Sequence, residues 1–287
     1  MTITVVNTIA SLRESVGEQR RAGARIGFVP TMGALHAGHA RLIDVARTEC
    51  DVVVVSIFVN PLQFDRRDDL ERYPRDLVAD TALCAAHGAA IVFAPEAEEM
   101  YPRPMLCTID VGRLADHLCG RYRPGHFAGV ANVVMKLLLI AGADAAYFGE
   151  KDAQQLAVVR RMVADFNVDV RIVAVPTVRE SDGLALSSRN QRLDSGERQL
   201  APILYAALRD ARASIAAGAR DAALVKARAA SLIPADARLQ LEYLEIVEPE
   251  EFQPVAEIAG PVIAAGALWV GRTRLIDNLL CAPGTLS

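Results

Sequence analysis

No run in this sequence is apolar for long enough to cross a membrane. The longest candidates, Val52 to Val59 and Pro261 to Val270, are strand-sized and fall short of the ~18 residues a spanning helix needs. Basic blocks are missing too. The formal net charge is −4 and Lys and Arg do not cluster, so neither RNA nor DNA is an expected partner. Cysteines are few: five, at positions 50, 84, 107, 119 and 281, with no Cys-x-x-Cys pair. An odd number without that spacing argues against a disulfide framework and a zinc ribbon, and reduced thiols fit a cytosol. Cys50, Cys84 and Cys281 stand in apolar contexts and are expected in the core. Met1 to Val6 has no basic stretch or cleavage site, so no signal peptide is expected and the expected location is cytoplasmic. There is no internal repeat or low-complexity tract; the Ala-rich stretch 206–230 is a helix former.

What remains is an ordinary globular composition, 52% hydrophobic and 23% charged over 287 residues, long enough for two domains or one large one. Ile9 to Ala22 reads as a helix stopped by Gly23, and then strands and helices alternate. Candidate strands are 25–29, 52–59, 90–93, 145–148 and 170–175; candidate helices are 38–49, 77–87, 130–141 and 152–167. Continuous apolar strands between amphipathic helices imply a parallel sheet covered on both faces. Past Pro176 the pattern changes to helices at about 197–217 and 222–231, then strands at about 239–247 and 262–271. The expected fold is α/β, a Rossmann-like parallel sheet in residues 1–176 with a smaller C-terminal α+β domain in 177–287.

Four segments follow the ends of apolar runs, where ligands bind in parallel sheets. The first is Pro30-Thr31-Met32-Gly33-Ala34-Leu35-His36-Ala37-Gly38-His39. A strand passing into a helix through a glycine turn gathers backbone N–H groups and a helix N-terminus, a point that favours phosphate. His36 and His39, three apart, face the same way in a first helical turn. Paired histidines at this spacing also serve as zinc ligands or as polar helix-start residues, so the motif is only a hypothesis. The second segment runs from Val53 to Phe64 and delivers Asn60 and Gln63. The third is Phe148-Gly149-Glu150-Lys151-Asp152-Ala153-Gln154-Gln155, and the fourth Asp182-Gly183-Leu184-Ala185-Leu186-Ser187-Ser188-Arg189-Asn190. Lys151, Arg189 and the imidazoles supply the local positive charge that a mildly acidic protein needs for anionic substrates.

In order and spacing these segments, with Arg123-Pro124-Gly125-His126-Phe127-Ala128-Gly129-Val130, resemble the pantoate–β-alanine ligases of the His-x-Gly-His nucleotidyltransferase group. The resemblance runs from about Phe28 to Asn190. The family usually has Glu where Ala37 stands, Met at Leu186 and Tyr at Ala153. The resemblance implies that ATP and (R)-pantoate give pantoyl adenylate and pyrophosphate, and that β-alanine then displaces AMP. It implies His39, His36 and Lys151 as catalytic. ATP would be met by Met32, Gly33, Ala34, Leu35, His36, Ala37, Gly38, His39, Gly149, Glu150, Lys151, Asp152, Val178, Leu186, Ser187, Ser188 and Arg189. Gln63 and Gln155 would hold pantoate, and Gln63 also β-alanine. Met32, Val133 and Val134 are candidates for the dimethyl centre of pantoate, and Arg123 and His126 for ordering a loop or meeting phosphate. A homodimer follows from the resemblance.

Mg²⁺ is expected with ATP, held mainly by phosphates, and its protein ligands are not identified. The acid-rich stretch Asp65-Arg66-Arg67-Asp68-Asp69 reads either as a contributor or as a solvated loop. Three other readings stay open at this point. They are a nucleotidyltransferase acting on a phosphate monoester, a nucleotide-binding regulator without turnover, and a zinc protein built on His36 and His39.

Overall fold

The computed structural model describes residues 3–64 and 67–284. Asp65 and Arg66 of the acid-rich stretch, and Met1 and Thr2 of the segment read for a signal peptide, lie outside the described residues. In chain order the elements are β1 (Thr4–Val6), α1 (Ile9–Arg21), β2 (Ile26–Thr31), α2 (Ala37–Glu49), β3 (Val52–Ile57), α3 (Arg67–Glu71), α4 (Leu77–Ala86), β4 (Ile91–Phe93), α5 (Ala97–Met100), α6 (Leu118–Tyr122), α7 (His126–Ala141), β5 (Ala145–Gly149), α8 (Ala153–Asp165), β6 (Arg171–Val175), α9 (Ser195–Leu200), α10 (Ile203–Ala216), α11 (Ala222–Ala230), β7 (Leu239–Val247), β8 (Val262–Val270) and β9 (Thr273–Cys281). Among the described residues no helix is long and apolar enough to cross a membrane. All five cysteines are free; Cys50, Cys84, Cys119 and Cys281 are buried and Cys107 is exposed.

The chain divides into two compact units. The first comprises Met1–Val111, Arg123–Glu150 and Val158–Pro176; the second comprises Gly112–Tyr122, Lys151–Ala157 and Thr177–Ser287. The first unit holds a six-stranded sheet in the order β1-β4-β3-β2-β5-β6, with every neighbouring pair parallel. Successive side chains on a strand point to opposite faces. On one face Val29, Val53, Val55, Val92, Ala145 and Tyr147 pack with Leu42, Ile43 and Ala46 of α2. The alternate residues Ile26, Phe28 and Val54 are equally buried, and α7 lies against β2. Burial on both faces is why these strands read as continuous apolar runs rather than alternating ones.

From β2 the chain moves outward through β3 to β4 on one side, and returns to place β5 and β6 on the other. The strand order therefore reverses between β2 and β5, the switch point where ligands of such sheets bind at the carboxyl ends. The edge strand β1 was not expected; its three residues are too few to show a pattern. Helix α7 begins at His126 rather than Val130, because Gly125, at φ +80°, supplies its N-cap.

In the second unit α10 and α11 cover a three-stranded antiparallel sheet, β7-β8-β9. The single helix expected over 197–217 is two, α9 and α10, with Pro202 at the N-cap of the second. Strand β9 escaped the sequence reading. Its buried positions include Thr273 and Asp277 beside Leu275, so its apolar alternation is hidden.

Gly129 of α7 is where the Pro61–Gln63 turn crosses the helix. A Cβ there would lie 2.3 Å from the Leu62 carbonyl oxygen and 2.8 Å from Gln63 Cα, backbone against backbone. Gly129→Ala is expected to destabilise the protein by about 1–3 kcal/mol, the usual cost of overpacking. Urea unfolding checks this, and an unchanged midpoint would contradict the close crossing.

Candidate active site

The chain leaves β2 through a turn in which Gly33 has φ +84° and Ala34 has φ +51°. Its backbone N–H groups are satisfied inside the protein. Gly33 donates to Thr31 Oγ1 at 3.2 Å, Ala34 to Asp80 Oδ2 at 2.9 Å and Leu35 to Asp80 Oδ1 at 2.7 Å. His36 donates to His39 Nδ1 at 3.3 Å, and Gly38 donates to His36 Nδ1 at 3.1 Å. The phosphate-ready cluster of amides expected from the sequence is thus largely engaged already, and the imidazoles are the donors the turn presents. The two side chains cap α2 reciprocally, with ring centroids 4.2 Å apart. A neutral imidazole that accepts at Nδ1 carries its proton at Nε2, so the backbone network assigns the Nε2–H tautomer to both. His36 and His39 are capping residues and paired donors at once.

Gln63 is buried on a short 3-10 turn, Pro61–Gln63, just beyond β3. Asn60 Nδ2 donates to Gln63 Oε1 at 3.1 Å and to the Gly129 carbonyl at 3.2 Å, and Asn60 Oδ1 accepts from Tyr101 Oη at 2.8 Å. Burial pushes the Tyr101 hydroxyl up to about 12, so it remains a donor. This relay fixes the polarity of the Gln63 amide: its oxygen is occupied, and its Nε2 donates to Met32 Sδ at 2.8 Å. A thioether is a weak acceptor, so a carboxylate or hydroxyl would replace it with advantage. The carbonyl of Gln63 accepts from His126 Nδ1 at 2.8 Å and from Arg123 at 3.3 Å. Arg123 and His126 therefore order this turn. Val133 and Val134 are both buried on α7.

In the second unit Lys151, Ser187, Arg189 and Asn190 line one cleft, together with Tyr205, Arg274 and Asp277. Folding thus brings Lys151 to the Ser-Arg segment. Leu184 and Ala185 of the same segment also line the cleft, whereas Leu186, Ser188, Asp152 and Val178 do not. Lys151 Nζ lies 3.7 Å from Asp152 Oδ1, and Ser187 Oγ accepts from Arg189 N–H at 3.2 Å. The Leu186 N–H donates to the Val178 carbonyl at 3.0 Å. The segment is anchored rather than loose. Arg179 grips buried Asp277 with two bonds, 2.6 and 2.9 Å, and stacks 4.1 Å over Tyr205. Arg198 spans Glu180 and Asp182. Gln155 is half-buried on the first turn of α8; its neighbour Gln154 is buried, donating to the carbonyls of Leu114 and His117. Gly149 ends β5 in the first unit, at the switch point, and Glu150 begins the short 3-10 turn that follows.

The sequence model of the family described as pantoate-beta-alanine ligase matches residues 4–280. The chain belongs to the pantoate–β-alanine ligase family. Members of this family are ligases that form a C–N bond. The chain is 52% identical over 278 residues to the bifunctional pantoate ligase/cytidylate kinase of Thermosynechococcus vestitus; this covers 96% of the chain and 54%, about half, of that protein. Its structure is similar to that of pantothenate synthetase from Thermus thermophilus, with a TM-score of 0.90 and 45% identity, covering 96% of this chain and 99% of that one. It also resembles pantoate-β-alanine ligase from Francisella tularensis, solved with β-γ ATP and β-alanine (TM-score 0.81, 35% identity, 97% and 98% covered).

Membership of a ligase family removes the reading as a regulator without turnover and disfavours transfer to a phosphate monoester. For the zinc reading, no group of three or more His, Cys, Asp or Glu could hold a metal among the described residues. Sequence reasoning missed Asp80, Tyr101 and Asn190. Asp80 and Tyr101 act across long stretches of chain and have no local signature, while Asn190 was seen only as the end of its motif.

The double role of the histidines separates in variants. His36→Asn keeps an acceptor at the N-cap and should unfold within about 0.5 kcal/mol of the native protein, whereas His36→Ala should lose about 1 kcal/mol. Equal stabilities for Asn and Ala in chemical denaturation would contradict the cap.

Proposed function

We propose that this chain condenses (R)-pantoate with β-alanine at the expense of ATP, through a pantoyl adenylate, and releases pyrophosphate and AMP. One observation carries the reading. At the carboxyl end of β2, two imidazoles are held by backbone N–H groups at Nδ1, so that each offers an Nε2–H donor from the first turn of α2. The family match and the ligands of the Francisella tularensis structure support the choice of substrates.

In the first step a carboxylate oxygen of pantoate bonds to the α-phosphorus. The bond from that phosphorus to the bridging oxygen breaks, and its electron pair leaves with pyrophosphate. Charge grows on the departing oxygens, and fixed donors aimed there lower the barrier by several kcal/mol, typically ~3 for one such donor. His36 and His39 take this role as neutral Nε2–H hydrogen-bond donors, and Lys151, Ser187, Ser188 and Arg189 meet the phosphates. Met32 to Leu35, Ala37, Gly38, Gly149, Glu150, Asp152, Val178 and Leu186 complete the ATP-binding set. Gln63 and Gln155 hold pantoate by donating amide N–H groups, which orient the carboxylate without neutralising it. In the second step the neutral amine of β-alanine, also met by Gln63, bonds to the acyl carbon, the bond from that carbon to the phosphate oxygen breaks with its electron pair leaving on AMP, and the amine loses a proton to solvent. Mg²⁺ bound with ATP would be held chiefly by the phosphates and would supply charge neutralisation there. The same reading places a homodimer in the cytoplasm, acting on small molecules.

His39→Ala should lower turnover at least ~10²-fold, the scale for losing a positioned donor or acid, with circular dichroism unchanged. Near-native turnover in the folded variant would count against the role. Pantoate carrying ¹⁸O in its carboxylate should pass one labelled oxygen to AMP, with pyrophosphate unlabelled. Label in inorganic phosphate and none in AMP would overturn the adenylate route.

A further inference from the structure

The turn that carries the His36–His39 pair is anchored from outside its own segment. Asp80 lies in the first turn of α4, 46 residues along the chain from Ala34. Its side chain is buried, 4% exposed, and each carboxylate oxygen accepts one backbone N–H, from Ala34 and from Leu35. The two bonds fall on the bend itself, where Ala34 is held at φ +51°, a conformation L-residues adopt at a cost. Gly33 is equally constrained. A Cβ there would lie 2.9 Å from Asp80 Oδ2 and 3.2 Å from Ile57 Cγ2. Burial raises the pKa of Asp80, while the N–H groups of Leu35 and Ala34 lower it. The first turn of a helix is a favourable place for such a carboxylate. Leu35 is followed directly by His36, the N-cap of α2, so whatever sets the bend also sets where the helix begins.

We propose that Asp80 is a positioning residue for the His36–His39 pair: by holding the N–H groups of Ala34 and Leu35 it fixes the start of α2, and through the reciprocal cap it holds both imidazoles as Nε2–H donors. Asp80 reaches no reacting atom; it acts through the turn. The inference rests on the proposed reaction for its kinetic consequence, but the imidazole geometry is readable without it.

Asp80→Asn separates positioning from space filling. Asparagine has the same shape but one acceptor oxygen, so one of the two backbone N–H groups would face an NH₂. Space filling predicts no change. Positioning predicts that pantoate-dependent exchange of pyrophosphate into ATP falls at least ~10-fold in kcat, the scale of a misplaced catalytic group, with the KM for pantoate nearly unchanged. It also predicts that the ring ¹⁵N signals of His36 and His39, assigned with His36→Asn and His39→Ala, lose the pure Nε2–H pattern. Should the variant not fold, amide hydrogen exchange in the native protein decides. The Ala34 and Leu35 amides should be strongly protected, and exchange as fast as open-loop amides would overturn the proposal. Absence of exchange activity in the native protein would sink the reaction and leave the ring signals to test Asp80. Native activity matched by Asp80→Asn, with unchanged ring signals or an effect confined to KM, would sink the positioning role.

Discussion

Every backbone N–H leaving the end of β2 must find an acceptor, and the way this chain meets that demand shapes its candidate active site. A buried amide without a partner costs roughly 1–3 kcal/mol, so a turn of several such amides forms only where acceptors converge on it. Here they come from Thr31 beside the turn, Asp80 on α4 and two histidines in the first turn of α2. Using imidazoles as capping acceptors has a chemical consequence. Nδ1 is turned inward to the backbone, and the proton is left on Nε2. Local folding physics and the donor chemistry of the site are one arrangement.

The same economy governs Gln63. An amide side chain is ambiguous, donor at one end and acceptor at the other. Asn60, itself oriented by Tyr101 and the Gly129 carbonyl, removes the ambiguity. The absent side chain at Gly129 lets the turn come close enough for that chain of bonds to close. In the second unit, charge is sorted in a similar way. Arg179, Arg198 and Arg274 are gripped by carboxylates and hold the scaffold. Lys151 and Arg189 line the cleft with Ser187. A protein of net charge −4 in this way gathers cations at one place.

Much of this was legible in the sequence. Buried parallel strands announce themselves as apolar runs, and all five expected in the first unit differ from the observed strands by two residues or fewer at either end. The largest differences are at β2, which runs on to Thr31, and at β3, which stops at Ile57 and yields to Asn60 and the Gln63 turn rather than running to Val59. The His-x-Gly-His pair, the two glutamines, Lys151 and the Ser-Ser-Arg segment could be picked out because strand ends and helix starts are local events with local signatures. Edge strand β1 and strand β9 could not, one for want of length and the other because polar residues occupy its buried positions.

The sequence by itself determined the alternation of strands and helices in the first unit, the parallel sheet and the residue types gathered after its strands, since periodicity and turn chemistry act over a few neighbours. Only the tertiary structure decided which amides were already engaged, which tautomer the histidines hold and which end of Gln63 faces outward. It also decided that Asp80 anchors a turn 46 residues away. These are matters of hydrogen-bond partnership between distant segments, and a partner's identity is set by where the chain has folded, not by what stands next to it in the sequence.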